Sequence, residues 1–304
     1  MRVVALAGGT GSARLLRGLS LLGVDLTVVS NVGDNVWMYG LYVCPDIDIA
    51  MYTLAGVVNR NRGWGVEGDT FLTLAHLKEI GEPTWFALGD IDIATQMART
   101  DLLRQGKTLT FVTEELRKAF HVTQTILPLT DHPMETRILT RGGFLHLQEF
   151  WVRDGGRPAV KGVKYEGSSR ARCTQEVDQA ISRADRIIVC PANPVTSVGP
   201  MLAVPGFVKI LSRAHAPVTA LSPMVGRAPF SGPAAKLMRA RGVRSDSVGI
   251  AQMYSEFLDS LVIDRSDASL ASEIEGLGMR CVSSDIGMKD STDEVRLSKE
   301  LLRI

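Results

Sequence analysis

The sequence predicts an α/β fold with a mainly parallel central sheet, and two observations predict it. An apolar run, Val3 to Ala7, leads through a glycine turn at Gly8-Gly9-Thr10-Gly11 into a leucine-striped segment and then a second apolar run, Leu26 to Ser30. Strand, tight turn, helix, strand is a βαβ unit, whose strands are parallel and whose crossover is right-handed. Later β-branched runs, Arg186 to Cys190, Pro217 to Leu221 and Leu261 to Ile263, supply further buried strands between helical stretches. Together these define a Rossmann-like three-layer core.

Taken in order, Ser12 to Leu22 is a helix because Leu15, Leu16, Leu19 and Leu22 form one apolar stripe. Residues from Asn31 to Cys44 read mostly as loop. Pro45 opens a helix reaching about Val58, since proline suits a first helical turn. Asn59 to Gly68 is glycine-rich and polar. Asp69 caps a helix that runs to Ile80 and stops at Gly81. Thr84 to Leu88 is a short strand, followed by helices over Ile93 to Gln105 and Thr113 to Phe120. Thr136 to Leu147 is a hairpin turning at Arg141-Gly142-Gly143, and Arg153 to Arg157 another turn. A helix begins near Ser197, and Asp290 to Leu302 is a charged amphipathic helix. The stretch 61–169 departs most from strand-helix alternation. We read it as a smaller inserted α+β subdomain in a single-domain chain whose core is 1–60 and 170–304.

Composition excludes several functions. The chain has 304 residues, 45% hydrophobic and 22% charged, with a net charge of +1. That lacks the basic excess of a nucleic-acid binder. No stretch approaches the roughly 20 apolar residues of a membrane span, and the N-terminal apolar run is too short for a cleavable signal. Cys44, Cys173, Cys190 and Cys281 stand too far apart for a metal knuckle or a redox pair. These features predict a cytoplasmic protein with reduced cysteines and neither nucleic-acid nor membrane partners.

Five motifs carry candidate chemistry. Gly8-Gly9-Thr10-Gly11-Ser12 follows a buried strand and opens a helix, so its amides can cradle a phosphate; a ligand-free turn is the plain alternative. From Gly9 the spacing is Gly-x-Gly-x-x-Arg, with Arg14 replacing the third glycine of a dinucleotide fingerprint, and no acid ends the second strand to hold a ribose. A nicotinamide dehydrogenase is therefore disfavoured. Asn31-Val32-Gly33-Asp34 lies at the carboxyl end of the second strand, where such sheets bind ligands; Asp34 either meets the ligand or closes an Asx turn. In Cys44-Pro45-Asp46-Ile47-Asp48, two carboxylates at a helix entry either converge on Mg or simply favour the positive helix end. Gly89-Asp90-Ile91-Asp92 presents two more acids, either at a site or capping a helix. Pro191-Ala192-Asn193-Pro194, with Ser197, forms a stiff strand-end loop in which Asn193 both donates and accepts hydrogen bonds.

These motifs in this order resemble the 2-phospho-L-lactate transferases. Gly40-Leu41, Tyr52-Thr53-Leu54-Ala55-Gly56, Arg62-Gly63-Trp64-Gly65, Leu88-Gly89-Asp90, Ala94-Thr95 and Gly199-Pro200 extend the likeness over most of the chain. The resemblance implies transfer of 2-phospho-L-lactate, or phosphoenolpyruvate, from a guanosine diphosphate-linked donor. The acceptor it implies is the deazaflavin 7,8-didemethyl-8-hydroxy-5-deazariboflavin, and the products are coenzyme F-420-0, or its dehydro form, and GMP. It further implies Mg as cofactor and a homodimer. Asp46 and Asp48 would then be catalytic and hold the metal. Gly8, Gly9, Thr10, Gly11, Ser12, Asn31, Asp34, Asn193 and Ser197 would hold the donor, and Asp48, Asp90 and Ile91 the deazaflavin. Ile91 stands where the family often has a basic residue, Gln96 where histidine is usual, and Asn35 where a second aspartate is frequent. The departures predict weaker acceptor affinity or a modified donor acid. A non-catalytic nucleotide-sugar-binding regulator of the same superfamily is the alternative; it would need neither metal nor deazaflavin.

Overall fold

The computed structural model describes residues 1–226, 228–229 and 232–304. The chain opens with β1 (Arg2–Ala7), α1 (Gly9–Ser20) and β2 (Asp25–Ser30), the expected βαβ unit. Leu15, Leu16 and Leu19 are fully buried, so the leucine stripe is the face that α1 packs inward. A small hairpin, β3 (Val36–Met38) and β4 (Leu41–Val43), interrupts the stretch expected to be loop, with Tyr39 and Gly40 at positive φ making its turn. Then come α2 (Pro45–Leu54), α3 (Leu72–Glu79), α4 (Asp90–Arg104) and α5 (Leu109–Ala119). After β5 (Thr125–Pro128), strands β6 (Glu135–Thr140), β7 (Gly143–His146) and β8 (Gly162–Glu166) form a separate antiparallel sheet. The chain continues through α6 (Gln175–Arg183), β9 (Arg186–Val189), α7 (Val198–Leu202), α8 (Phe207–Ser212) and β10 (Val218–Leu221). The two-residue strands β11 (Met224–Val225) and β12 (Ala228–Pro229) pair with each other. Next are α9 (Ala234–Ala240), α10 (Ser247–Tyr254), β13 (Ser260–Asp264), α11 (Ala271–Glu275), β14 (Arg280–Ser284) and α12 (Ser291–Leu301).

Seven strands make one wholly parallel sheet in the order β14-β13-β10-β9-β1-β2-β5. The chain fills one side of β1 first, with β2 and β5, and then returns to the other side with β9 onward. The order therefore reverses between β1 and β9. In an open α/β sheet the crevice beyond the carboxyl ends of such neighbours is where ligands bind. The glycine turn after β1 and the proline loop after β9 meet there.

Several local expectations change. The stretch 61–169 contributes β5 to the main sheet as well as holding β6–β8. Thr84 to Leu88 is not a strand. Phe86 and Leu88 instead pack on Met38 and Val43 of the small hairpin, so an apolar run that looked like sheet fills a satellite core. Asp69 does not cap α3; its carboxylate accepts from the amides of Ile91 (2.9 Å) and Asp92 (3.3 Å), capping α4. Asp90 in turn caps α3, accepting from Leu72 (3.1 Å) and Thr73 (3.0 Å). The two helix entries exchange caps across the connection, an arrangement that sequence spacing does not reveal.

Candidate active site

Gly8, Gly9, Thr10, Gly11, Asp34, Asp46, Asp48, Asn193 and Ser197 line one cleft of about 340 Å³ at the reversal point. Two of the glycines are required by close packing. A Cβ on Gly8 would lie 2.7 Å from Ser197 Cβ and 2.9 Å from an Asp46 carboxylate oxygen, and one on Gly11 would lie 2.3 Å from the Pro191 carbonyl oxygen. The turn thus welds the end of β1 to the loop after β9. Ser12 is buried beneath it, accepting from the Gly8 amide (3.0 Å) and donating to the Gly8 carbonyl (2.8 Å).

Asp46 is the hub. Its carboxylate accepts from the Gly9 amide at 2.7 Å and from Asn31 Nδ2 at 2.8 Å. Asn31 is therefore a support behind the cleft; its Nδ2 also donates to the Thr196 carbonyl, and its Oδ1 accepts from Gly33. One amide of the glycine turn is thus committed to Asp46. The Thr10 and Gly11 amides, in the first turn of α1, have no intrahelical acceptor and remain for a ligand. Burial pushes the Asp46 carboxyl up to about 6, against the pull of its two donors. Asp34 is raised well above the ordinary carboxylate range by burial and then by the charge of Asp46. Its Oδ1 is buried without a hydrogen-bond partner.

Asp48 lies in the same cleft but in a different state. Arg99, fully buried, forms a two-pronged ion pair with it, and Gln96 Nε2 donates to it at 2.9 Å. Arg99 also donates to Gln96 Oε1. Asp48 is therefore neutralised by a buried guanidinium, whereas Asp46 meets only neutral donors, so the two are not the equivalent metal-holding pair that the resemblance implied. Gln96 completes this triad.

Asp90 and Ile91 stand apart. Hydrogen bonds at the start of α3, first from the Thr70 hydroxyl, hold the Asp90 carboxyl well below its ordinary range. Ile91 is 43% exposed, and neither residue lines the cleft. Asp92, which motif reasoning placed beside them, turns inward and lines it. Burial, and then the charge of Asp48, raise its carboxyl to about 6. Tyr52, Trp64, Phe86 and Trp151 add aromatic rings to its lining. The signal for this second half of the site was present in α4: Asp92, Gln96 and Arg99 fall at i, i+4 and i+7, and all the buried residues of this helix are polar. A helix with a polar buried face packs against chemistry rather than core.

Glycine turn, strand-end asparagine loop and buried carboxylates meet at a sheet reversal, the position where α/β proteins of this class bind their ligands. The model of the family described as 2-phospho-L-lactate transferase CofD matches residues 3–299. A 2-phospho-L-lactate transferase from Methanosarcina mazei is 39% identical over 304 residues, spanning 99% of this chain and 98% of its own. A phosphoenolpyruvate transferase from Streptomyces griseus is 38% identical, spanning 100% and 98%. This chain belongs to the CofD family of 2-phospho-L-lactate transferases and is a transferase. A crystal structure of a UPF0052-family protein from Bacillus halodurans shares the fold, with a TM-score of 0.66 at 15% identity, covering 99% of this chain and 98% of that one. No helix among the described residues is long and apolar enough to cross a membrane.

Proposed function

We propose that this enzyme moves a three-carbon phospho-acid, 2-phospho-L-lactate or phosphoenolpyruvate, from a guanosine diphosphate-linked donor to a deazaflavin. The observation that carries this reading is the mixed lining of one cleft, which combines the glycine turn, Asn193 and Ser197, suited to phosphates, with the rings of Tyr52, Trp64, Phe86 and Trp151, suited to a flat ring system. The named transferases among its relatives support the choice of transferred acid.

The donor set also fits a divalent cation, at Asp34 and Asp46 rather than Asp46 and Asp48. The free Asp34 oxygen and the mutual repulsion of two buried carboxylates are the features that a cation relieves. Magnesium held there supplies charge neutralisation for a diphosphate. The Thr10 and Gly11 amides orient the phosphates, and Asn193 and Ser197 border the same end of the cleft. Asp48, neutralised by Arg99, fixes the floor. Asp92 accepts the proton from the ribityl hydroxyl as that oxygen attacks phosphorus and GMP departs, because a carboxylate near 6 is ionised yet basic at neutral pH.

Asp92→Asn is expected to lower kcat by a factor of about 100 or more. In the native enzyme, protonation of Asp92 as pH falls through about 6 removes the base, so the rate declines on the acid side. The variant should show a shallower limb, since Asp46, raised to the same value, still titrates. A pH profile of transfer checks both; an unchanged rate would remove Asp92 from the chemistry.

A further inference from the structure

The cleft has an unusual charge inventory for a site that handles phosphates. Among the described residues, no lysine or arginine lines it. Arg99 lies buried beside it and is committed to Asp48. The free cations are next door. A second cavity, of about 600 Å³, shares Thr10 and Gly11 with the cleft. Between them the 59–65 loop leans on the turn: a Cβ at Gly63 would sit 3.9 Å from the Thr10 side chain.

Five cations, Arg14, Arg17, Arg60, Arg62 and Lys289, face two acids, Asp290 and Glu294, in that cavity. This is an excess of three positive charges in a chain whose total is +1. Arg17 is paired with Glu294, and Asp290 is occupied in capping α12 through the Thr292 and Asp293 amides. Arg14, Arg60, Arg62 and Lys289 form no ion pair among the described residues. Like charges around one hollow repel unless an anion joins them.

The walls are already fixed for such a ligand. The Arg62 guanidinium lies 5.1 Å from the Trp64 ring centre and 5.0 Å from that of Phe71. Stacking holds it flat and in place. Its Nε is buried without an acceptor, a donor that the protein itself leaves unsatisfied. Arg14 donates to the Met288 carbonyl and so ties the segment before α12 to α1.

We propose that this cavity is a second oxyanion site, distinct from the transfer cleft and built for a phosphate-class ligand of two or more charges. The ligand is a free anion, separate from the donor nucleotide that the cleft takes. The site stands independently of which acid is transferred and of the roles given to Asp46 and Asp92.

The test is calorimetric titration with inorganic pyrophosphate in chelator-containing buffer, which removes any metal-borne binding in the cleft. Binding of one equivalent is expected, weakening steeply with salt. Arg60 and Lys289 are exposed, so the Arg60→Ala/Lys289→Ala chain should fold, and it should bind about tenfold more weakly or worse. The milder Arg60→Gln change should give a smaller loss in the same direction. The Asp46→Asn chain should bind pyrophosphate as the native chain does, which separates this site from the cleft. With GDP at saturation, undiminished pyrophosphate binding is expected; displacement by GDP would place the pyrophosphate on the donor's own phosphate subsite and overturn the proposal. No binding to the native chain, or equal binding by the double variant, overturns it.

Discussion

Replacing Asp46 with asparagine is expected to lower kcat on the order of a thousandfold while the fold survives. Asp46 touches the glycine turn and Asn31 and faces Asp34, so it links the phosphate cradle to the proposed cation position. Asparagine keeps the shape but loses the charge, and its amide hydrogens face one of two donors. That mismatch costs about 1–3 kcal/mol. An opposing effect offsets part of it, and its sign follows from linkage. The carboxyl ionises near 3.8 in the unfolded chain and near 6 in the folded one. Between those values the folded state holds the extra proton, so native stability falls as pH rises from about 4 to about 6. The asparagine variant has no such proton and should show a flatter profile across that window. Thermal unfolding at pH 4.5 and pH 7, together with kcat, checks both parts. Turnover close to native would remove Asp46 from the mechanism.

The second large effect is on stability. Arg99→Met should cost about 3–5 kcal/mol, because it leaves Asp48 buried and uncompensated. Gln96 loses a donor at the same time. The damage comes from an orphaned charge rather than from a lost attraction. Asp48→Asn/Arg99→Met should therefore recover much of it, making the pair strongly non-additive. Urea unfolding of the two single variants and the double variant measures this. A double variant as unstable as the sum of the singles would mean that Arg99 acts mainly by packing.

Sequence made the glycine turn and β1–α1–β2 legible because their apolar periodicities are regular and their packing is local. The same holds for β9, β10 and β13, each a buried β-branched run. The edge strands were not legible. β5 is four residues ending in Pro128, and β14 reads Arg-Cys-Val-Ser-Ser with only one buried position. Neither carries a core-strand pattern, and their pairing is fixed by neighbours rather than by their own residues. The site divided in the same way. Gly8 to Gly11, Asp34, Asn193 and Ser197 follow strand ends, where chain order predicts position. The acid pairs did not reveal which member turns inward. At Asp90 and Asp92, exchange of helix caps with Asp69 decides it. At Asp46 and Asp48, Arg99, half a hundred residues on, takes one carboxylate and leaves the other.

The most direct test of the central claim is product analysis. The enzyme is incubated with Mg, the deazaflavin, and in turn the lactyl- and enolpyruvyl-diphosphoguanosine donors. The account predicts equal amounts of GMP and a phosphodiester-linked deazaflavin from at least one donor, and neither product without the acceptor. Release of GMP with no deazaflavin adduct, or no reaction with either donor, would contradict it.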